Sequence, residues 1–246
     1  MKPNPSETRI FLVTGASSGL GREVAVRLGA GGANVVALGR NEDRLAETRD
    51  RVEAAGGRCL CVPLDLTDFD AYPKLFEALK AQIPHLDGIA HIAGSLRFCS
   101  PMQYVKADDF RQMLDIHLTA PNLLTQAMLP LLMCAEQATV IFTTCDMIEK
   151  DIPNWHGYGM AKRALGAAAA MWQAEHPDTG LRFYAVNPGS MRTALFQRAY
   201  PGMPAEEVPL PAVAAEAFAR LLSGEGNEAG GSCLDAGAWL AAHPRP

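Results

Sequence analysis

The chain has 246 residues, a size that fits one α/β domain of the larger kind, and 48% of them are hydrophobic, which argues against intrinsic disorder. The formal net charge is −5 and no basic block interrupts the mixed charges, so we expect neither nucleic acid nor an acidic membrane as a partner. Residues 1–9 lack an apolar signal segment, and the apolar stretch at 129–135 is too short to cross a bilayer. We therefore expect a cytoplasmic protein without membrane association.

Strand and helix patterns alternate along the chain. Short apolar runs bounded by turn residues predict strands at 10–13, 34–39, 58–64, 87–93, 139–144, 181–186 and 232–235. After a first helix that follows the first strand, amphipathic runs predict helices at 41–55, 68–82, 107–134, 155–175 and 211–223. Pro121 is expected to begin a turn or kink inside the long helix, and residues 190–208 show little regular periodicity.

This alternation predicts an α/β fold, with a doubly wound parallel sheet of about seven strands and helices on both faces. No linker or repeat divides the sequence, so we predict a single domain over 1–246. Ligands of such sheets bind at the carboxyl ends of the strands. Residues of special chemistry or conformation fall at the ends of six predicted strands: Gly15, Arg40, Asp65, Gly94, Cys145 and Pro188.

A glycine-rich turn joins the first strand to an amphipathic helix. Gly15 permits the tight turn, Gly19 allows the backbone to approach a pyrophosphate, and Gly21 allows the helix to pack close to the strand. Backbone N–H groups and the positive end of the helix dipole then meet at one point, which suits a phosphate. Glycine-rich turns also serve plain chain reversal, so the motif alone leaves both interpretations open.

Tyr158 and Lys162 lie one helical turn apart on one face of a predicted helix. A free tyrosine has a pKa near 10, and a neighbouring lysine cation stabilises the phenolate, so we expect Lys162 to lower the pKa of Tyr158. Such a tyrosine can protonate a carbonyl oxygen while hydride reaches the carbon atom. A tyrosine and a lysine at this spacing more often have a structural role. The position of this pair after the fifth predicted strand favours a catalytic role here.

With these motifs the chain resembles the short-chain dehydrogenase/reductase family over nearly its whole length. Thr14-Gly15-Ala16-Ser17-Ser18-Gly19-Leu20-Gly21 is similar to the family's cofactor turn, and Tyr158 and Lys162 match its catalytic pair. Segments 38–45 and 185–195 resemble the YciK-like bacterial oxidoreductases. The resemblance implies a Rossmann fold, a nicotinamide cofactor and a homodimer or homotetramer. It also implies cofactor contacts at Gly15, Ser17, Ser18, Gly19, Leu20, Gly21, Asp65, Leu66, Ala93, Gly94, Tyr158, Lys162, Pro188, Gly189 and Thr193.

The sequence departs from the family pattern at three places. Cys145 occupies the position of the catalytic serine, where a thiol is the weaker hydrogen-bond donor, and Thr144 is the alternative residue for orienting the substrate. His117 stands where the family has an asparagine in the long helix. His91 and Ile92 replace the paired asparagines before Ala93-Gly94.

Arg40 directly follows the second strand. Sites that prefer NAD place an acidic residue there to bind the ribose hydroxyls, whereas a guanidinium suits a 2′-phosphate. The sequence therefore favours NADP(H), with NAD(H) as the alternative.

Two functions remain in competition. The first is an NADP-dependent oxidoreductase that acts on a small-molecule carbonyl or alcohol substrate, with Tyr158, Lys162, Cys145, Thr144 and His117 as candidate catalytic residues. The second is a weakly active or non-catalytic NADP-binding sensor or assembly subunit, which the changes at Cys145 and His117 suggest. We expect residues 190–208 to cover the site as a lid, and the alanine-rich segment 167–170 to form a subunit contact.

Overall fold

The structure is a computed structural model that describes residues 8–146, 150–226 and 228–245. In this part of the chain seven parallel strands form one sheet in the order β3-β2-β1-β4-β5-β6-β7. The chain order reverses between β1 and β4, which places a topological switch point at their carboxyl ends. The strands are β1 (Ile10–Thr14), β2 (Asn34–Gly39), β3 (Arg58–Pro63), β4 (Gly88–His91), β5 (Ala138–Thr143), β6 (Leu181–Asn187) and β7 (Cys233–Asp235).

Helices cover both faces of the sheet, as the alternating pattern predicts. They are α1 (Gly19–Ala30), α2 (Glu42–Ala54), α3 (Tyr72–Lys80), α4 (Ala107–Leu114), α5 (Ala120–Leu132), α6 (His156–Glu175), α7 (Ala194–Ala199), α8 (Pro211–Leu222) and α9 (Ala236–Ala242). Successive side chains of a strand point to opposite faces of the sheet. In β1, Phe11 and Val13 belong to the apolar cluster on one face, and Ile10 and Leu12 belong to the apolar cluster on the opposite face. Within the described residues, no helix combines the length and apolar character needed to span a bilayer.

The predicted strands and helices are present, except that the long helix at 107–134 is divided, and the structure adds two short helices. Asn41 caps α2 by accepting a hydrogen bond from Arg44 N at 2.8 Å, as its position predicts. The segment at 190–208 contains α7, which begins after Thr193, and the Thr193 hydroxyl oxygen caps its N-terminus. Helix α9 follows β7 directly, and the Asp235 side chain caps its N-terminus. Neither helix was expected, because six or seven residues are too few for a clear helical period.

The long helix predicted at 107–134 is divided by a π turn. Helix α4 leads into this turn at Asp115–Thr119, and α5 follows it with Pro121 as its second residue. Proline has no N–H, so Pro121 cannot donate the α-helical hydrogen bond to the carbonyl of His117, four residues before it. The expected interruption near Pro121 is therefore present, and it takes the form of a wider turn on the N-terminal side of the proline.

Candidate functional site

A cleft of about 970 Å³ lies at the carboxyl ends of the central strands. One end is bounded by the glycine-rich turn and the end of β2, and the other by Tyr158, Lys162 and the residues that follow β5. The segment after β6, with α7, forms a further wall. Every residue that the sequence analysis assigned to catalysis or to cofactor binding lines this one cleft.

The glycine-rich turn has no room for side chains at two of its glycines. A Cβ atom on Gly15 would lie 2.7 Å from Ala93 Cα, and one on Gly21 would collide with the carbonyl oxygen of Gly15. Gly15 and Gly19 also adopt φ values of +69° and +53°, which glycine tolerates best. The turn therefore brings bare backbone to the cleft, which fits the close approach of a phosphate group.

Two residues outside the motif hold the backbone of this turn. The Thr48 hydroxyl donates to the carbonyl of Ala16 at 2.8 Å, and the Arg22 guanidinium donates to the carbonyl of Ser17 at 2.6 Å. The positions of these carbonyls are thereby fixed at the N-terminus of α1, whose dipole favours an anion. The sequence analysis missed both residues. Thr48 lies in α2 and Arg22 in the first turn of α1, and neither residue type at such a position indicates a contact with the glycine-rich turn.

The Thr14 hydroxyl joins β1 to the segment after β4. Its oxygen accepts hydrogen bonds from Ile92 N at 2.9 Å and from Ala93 N at 3.1 Å. Gly94 follows, where a Cβ atom would lie 2.5 Å from His117 Cε1. The Ala93-Gly94 segment is thus fixed between the glycine-rich turn and His117, on the floor of the cleft.

Arg40 and Asp65 lie together at the end of the cleft near β2. Arg40 is exposed, and Asp65 accepts hydrogen bonds from the N–H and the hydroxyl of Thr67 at 2.9 and 2.8 Å. These bonds, with the Thr67 N–H as the main cause and the Arg40 charge as a smaller one, hold the pKa of Asp65 below its ordinary value. Leu66 follows as a buried wall residue. The end of the cleft near β2 therefore presents the positive charge of Arg40 beside the ionised carboxylate of Asp65.

The segment after β6 crosses the glycine-rich turn. The side-chain oxygen of Asn187 accepts a hydrogen bond from Gly189 N at 2.9 Å, which shapes the turn around Pro188. Thr193 lies farther along, and its methyl carbon is 3.4 Å from the position of a Cβ atom on Gly19. Pro188, Gly189 and Thr193 therefore face the first turn of α1 across the cleft.

Tyr158 and Lys162 project from the first two turns of α6 into the other end of the cleft. Both are buried, and Lys162 Nζ donates to the carbonyl oxygen of Thr143 at 2.7 Å while lying 5.7 Å from the centre of the Tyr158 ring. Burial lowers the pKa of Lys162 to about 8. Burial also raises the pKa of Tyr158, with smaller contributions from Cys145, Tyr200 and Cys99.

The expectation that Lys162 lowers the pKa of Tyr158 is therefore wrong for the chain as it stands. Desolvation of a phenolate in this pocket outweighs the attraction of an ammonium group that is itself desolvated and hydrogen-bonded to Thr143. The phenol stays protonated at neutral pH, which is the form that can donate a proton.

The sequence profile of the family described as short chain dehydrogenase matches residues 9–203. The chain belongs to the short-chain dehydrogenase family. It is 30% identical over 231 residues to the oxidoreductase YciK of Escherichia coli K12, covering 93% of this chain and 91% of YciK. A short-chain dehydrogenase structure from Pseudomonas syringae matches with a TM-score of 0.89 and 32% identity, over 93% of this chain and 94% of that one. One from Shigella flexneri 2a, complexed with NADP, matches with a TM-score of 0.88 and 31% identity, over 93% and 97% of the two chains.

His117 of this dehydrogenase is fixed by the backbone of Ser95. Its Nε2 lies 2.6 Å from the carbonyl oxygen of Ser95 and 3.3 Å from Ser95 N, so it donates to the first or accepts from the second according to its tautomer. Burial and the nearby charge of Lys162 lower the pKa of His117 to about 3, so the ring is neutral. Its Nδ1 is buried without a hydrogen-bond partner in the described part of the chain, and the centre of the ring lies 4.7 Å from the centre of the Tyr158 ring.

Thr144 and Cys145 follow β5 and both line the cleft. The Thr144 hydroxyl is buried and makes no hydrogen bond to any described residue, while its N–H donates to the carbonyl of Val186 at 2.8 Å. Cys145 packs against a small buried cluster that includes Trp155 and Tyr158. The position of the family's serine thus carries two candidate donors in succession.

His91 lies away from the cleft. Its ring stacks on Phe142 at 5.2 Å between centres, and its Nε2 is 2.8 Å from the Thr125 hydroxyl. Burial lowers the pKa of His91 to about 3, which leaves a neutral side chain in the core. This departure from the family pattern therefore changes the packing between β4, β5 and α5, and Ile92 is the member of the pair that lines the cleft.

Proposed function

We propose that this dehydrogenase transfers hydride between NADP(H) and a carbonyl or alcohol substrate. One observation carries the proposal: a single cleft has a side-chain-free glycine turn at one end and the buried pair of Tyr158 and Lys162 at the other. The first feature suits the pyrophosphate of a dinucleotide, and the second suits a substrate oxygen. The bound cofactor would supply the hydride, and the protein would position and protonate the substrate.

Tyr158 acts as the general acid in this proposal. Its phenol is protonated at neutral pH and donates to a carbonyl oxygen in reduction, and the phenolate takes the proton of an alcohol in the reverse reaction. Lys162 contributes a positive charge next to the phenol and, like Tyr158, contacts the cofactor. Thr144 or Cys145 orients the substrate carbonyl, and His117 positions the groups around Tyr158 through its neutral ring.

The cofactor contacts follow the cleft from end to end. The pyrophosphate is held by the glycine-rich turn, that is by Ser17, Ser18, Leu20 and the three glycines. The adenine lies next to Asp65 and Leu66. The nicotinamide is reached along a path lined by Ala93, Gly94, Pro188, Gly189 and Thr193. Arg40 binds the 2′-phosphate, which makes NADP(H) the preferred cofactor. The NADP complex of the Shigella flexneri relative supports this preference. Residues 190–208, with α7 at their centre, serve as the lid of a single domain.

A cofactor-binding protein with little turnover is the second candidate, because a weak thiol donor stands at the position of the family's serine. The two are separated by titrating the protein with NADPH, followed by NADPH oxidation with a panel of ketones. We expect saturable NADPH binding and ketone-dependent oxidation. Tyr158→Phe should remove nearly all oxidation and leave NADPH binding unchanged, and Tyr104→Phe, at an exposed tyrosine outside the cleft, is the matched control. Binding without oxidation of NADPH by any ketone would favour the second candidate.

A further inference from the structure

We propose that the substrate is an apolar ketone or secondary alcohol that carries a ring, and that Trp155 is the residue that selects it. The inference rests on the proposed function, because it assigns the body of the molecule whose oxygen meets Tyr158. Trp155 directly precedes α6, three residues before Tyr158, and the backbone there brings the two rings side by side.

A continuous row of aromatic rings begins at Tyr158 and ends on α7. Tyr158 and Trp155 lie 5.3 Å apart between ring centres, Trp155 and Tyr200 5.8 Å, and Tyr200 and Phe196 5.0 Å. All four line the cleft; Trp155 and Phe196 are each 8% exposed, and Tyr200, which lies between them, keeps 38% of its surface exposed. A group held at Tyr158 therefore has aromatic surface next to it, and aromatic faces favour stacked or edge contacts with rings.

The backbone on both sides of Trp155 is held in an unfavourable conformation. Asn154 has φ +72° and His156 has φ +24°, values that residues with a Cβ atom rarely adopt. Both are fixed by the segment at 98–100: Asn154 O accepts from Ser100 N at 2.9 Å, and His156 Nε2 lies 3.2 Å from Phe98 O. Strain of this kind persists where surrounding structure enforces it and concentrates at binding sites. Its effect here is to fix the indole beside the reacting oxygen.

The charged side chains near this end have other partners. Arg192 Nε donates to Ala205 O at 2.8 Å, and Arg198 Nη1 donates to Leu96 O at 3.0 Å. Both arginines thus attach the segment after β6 to neighbouring backbone, while Leu96 and Met191 contribute buried apolar surface to the cleft. The surface next to Trp155 is therefore apolar, which suits a ring, while the two guanidinium groups keep their charge at its edge.

The test is the initial rate of NADPH oxidation with acetophenone, 2-butanone and the acidic ketone levulinate. We expect kcat/KM for acetophenone to exceed that for 2-butanone and that for levulinate by tenfold or more. Trp155→Ala should lower kcat/KM for acetophenone by about tenfold to a hundredfold, mainly through KM, because apolar surface that covers the ring is lost. Trp155→Phe should restore most of the loss, and the affinity for NADPH should stay the same in both variants.

The outcomes separate the two proposals. Oxidation of NADPH at similar efficiency with all three ketones, or an equal loss for acetophenone and 2-butanone in Trp155→Ala, would overturn the substrate inference and leave the oxidoreductase proposal intact. Binding of NADPH without oxidation by any ketone would overturn the proposed function itself. The comparison of the three ketones uses the unmodified protein, so it decides the matter even where Trp155→Ala fails to fold.

Discussion

Lys162 is predicted to make the stability of this dehydrogenase depend on pH in the alkaline range. Its ammonium group is buried at 5% exposure, and burial lowers its pKa from 10.5 to about 8. Below pH 8 the lysine is protonated in both the folded and the unfolded chain. Between pH 8 and 10.5 the unfolded chain keeps the proton and the folded chain does not, so the contribution of this lysine to the free energy of unfolding rises with pH.

The magnitude follows from the size of the shift. One pKa unit corresponds to about 1.4 kcal/mol, so the charged lysine costs the fold about 3 kcal/mol at neutral pH. Relative to Lys162→Met, the unmodified protein should therefore gain about 2 kcal/mol of stability between pH 7 and pH 10.

The assay is urea unfolding of the unmodified protein and Lys162→Met at several values of pH, because groups common to both proteins cancel in the difference. Lys74→Met, at an exposed lysine on α3, serves as the control and should show a difference that does not change with pH. A difference for Lys162→Met that stays constant from pH 7 to pH 10 would refute a lowered pKa at this lysine.

Three further predictions concern the cofactor, the catalytic site and assembly. NADPH should bind more tightly than NADH, and Arg40→Ala should remove much of this difference in affinity. Arg49→Ala, at an arginine outside the cleft, is the control and should leave the difference unchanged. Equal affinities for NADPH and NADH in the unmodified protein would contradict the role of Arg40. Cys145→Ser should raise kcat several-fold, because a net hydrogen bond contributes about 1 kcal/mol, and His117→Asn should add to this gain. A fall in kcat would mean that the thiol suits this site, and exposed Cys134→Ser is the control. Light scattering at micromolar concentration should give a homodimer or homotetramer that packs the outer face of α6, where Met171 is 63% exposed; a monomer would contradict this.

Local chemistry predicted most of the fold and the two ends of the site. The apolar runs at β1, β2 and β5 are buried on both sides, so their composition alone marks them as central strands. Asn41 caps α2 with its own side chain, a signal contained in two or three residues. Tyr158 and Lys162 could be paired because the helical repeat places residues four apart on one face.

Features that depend on tertiary contacts were not predictable in this way. The indole of Trp155 takes its position from two residues of positive φ, Asn154 and His156, and from a loop some fifty residues earlier. Asparagine and histidine adopt positive φ more often than most residues, but neither residue type predicts it at a given position. Helix α7 has six residues, too few for stability in isolation, and its Phe196 is buried by the rest of the domain. The burial of His91 in the core could have been predicted from the sequence, because alternate residues of β4 share a face and His91 therefore lies on the same face as Ile89.

The π turn at Asp115–Thr119 sets the rotational phase between two helices that pack on different surfaces. Helix α4 packs against α6, whereas α5 packs against the sheet and α3 through an apolar stripe that includes Leu124 and Met128. A π turn contains one more residue than an α turn, and each α-helical residue advances by about 100°. Because the wider turn accommodates that additional residue, α4 and α5 keep nearly the phase that a regular helix would give them. Deleting one residue from Asp115–Thr119 should therefore convert the π turn into an α turn and leave the stripe of α5 on the sheet.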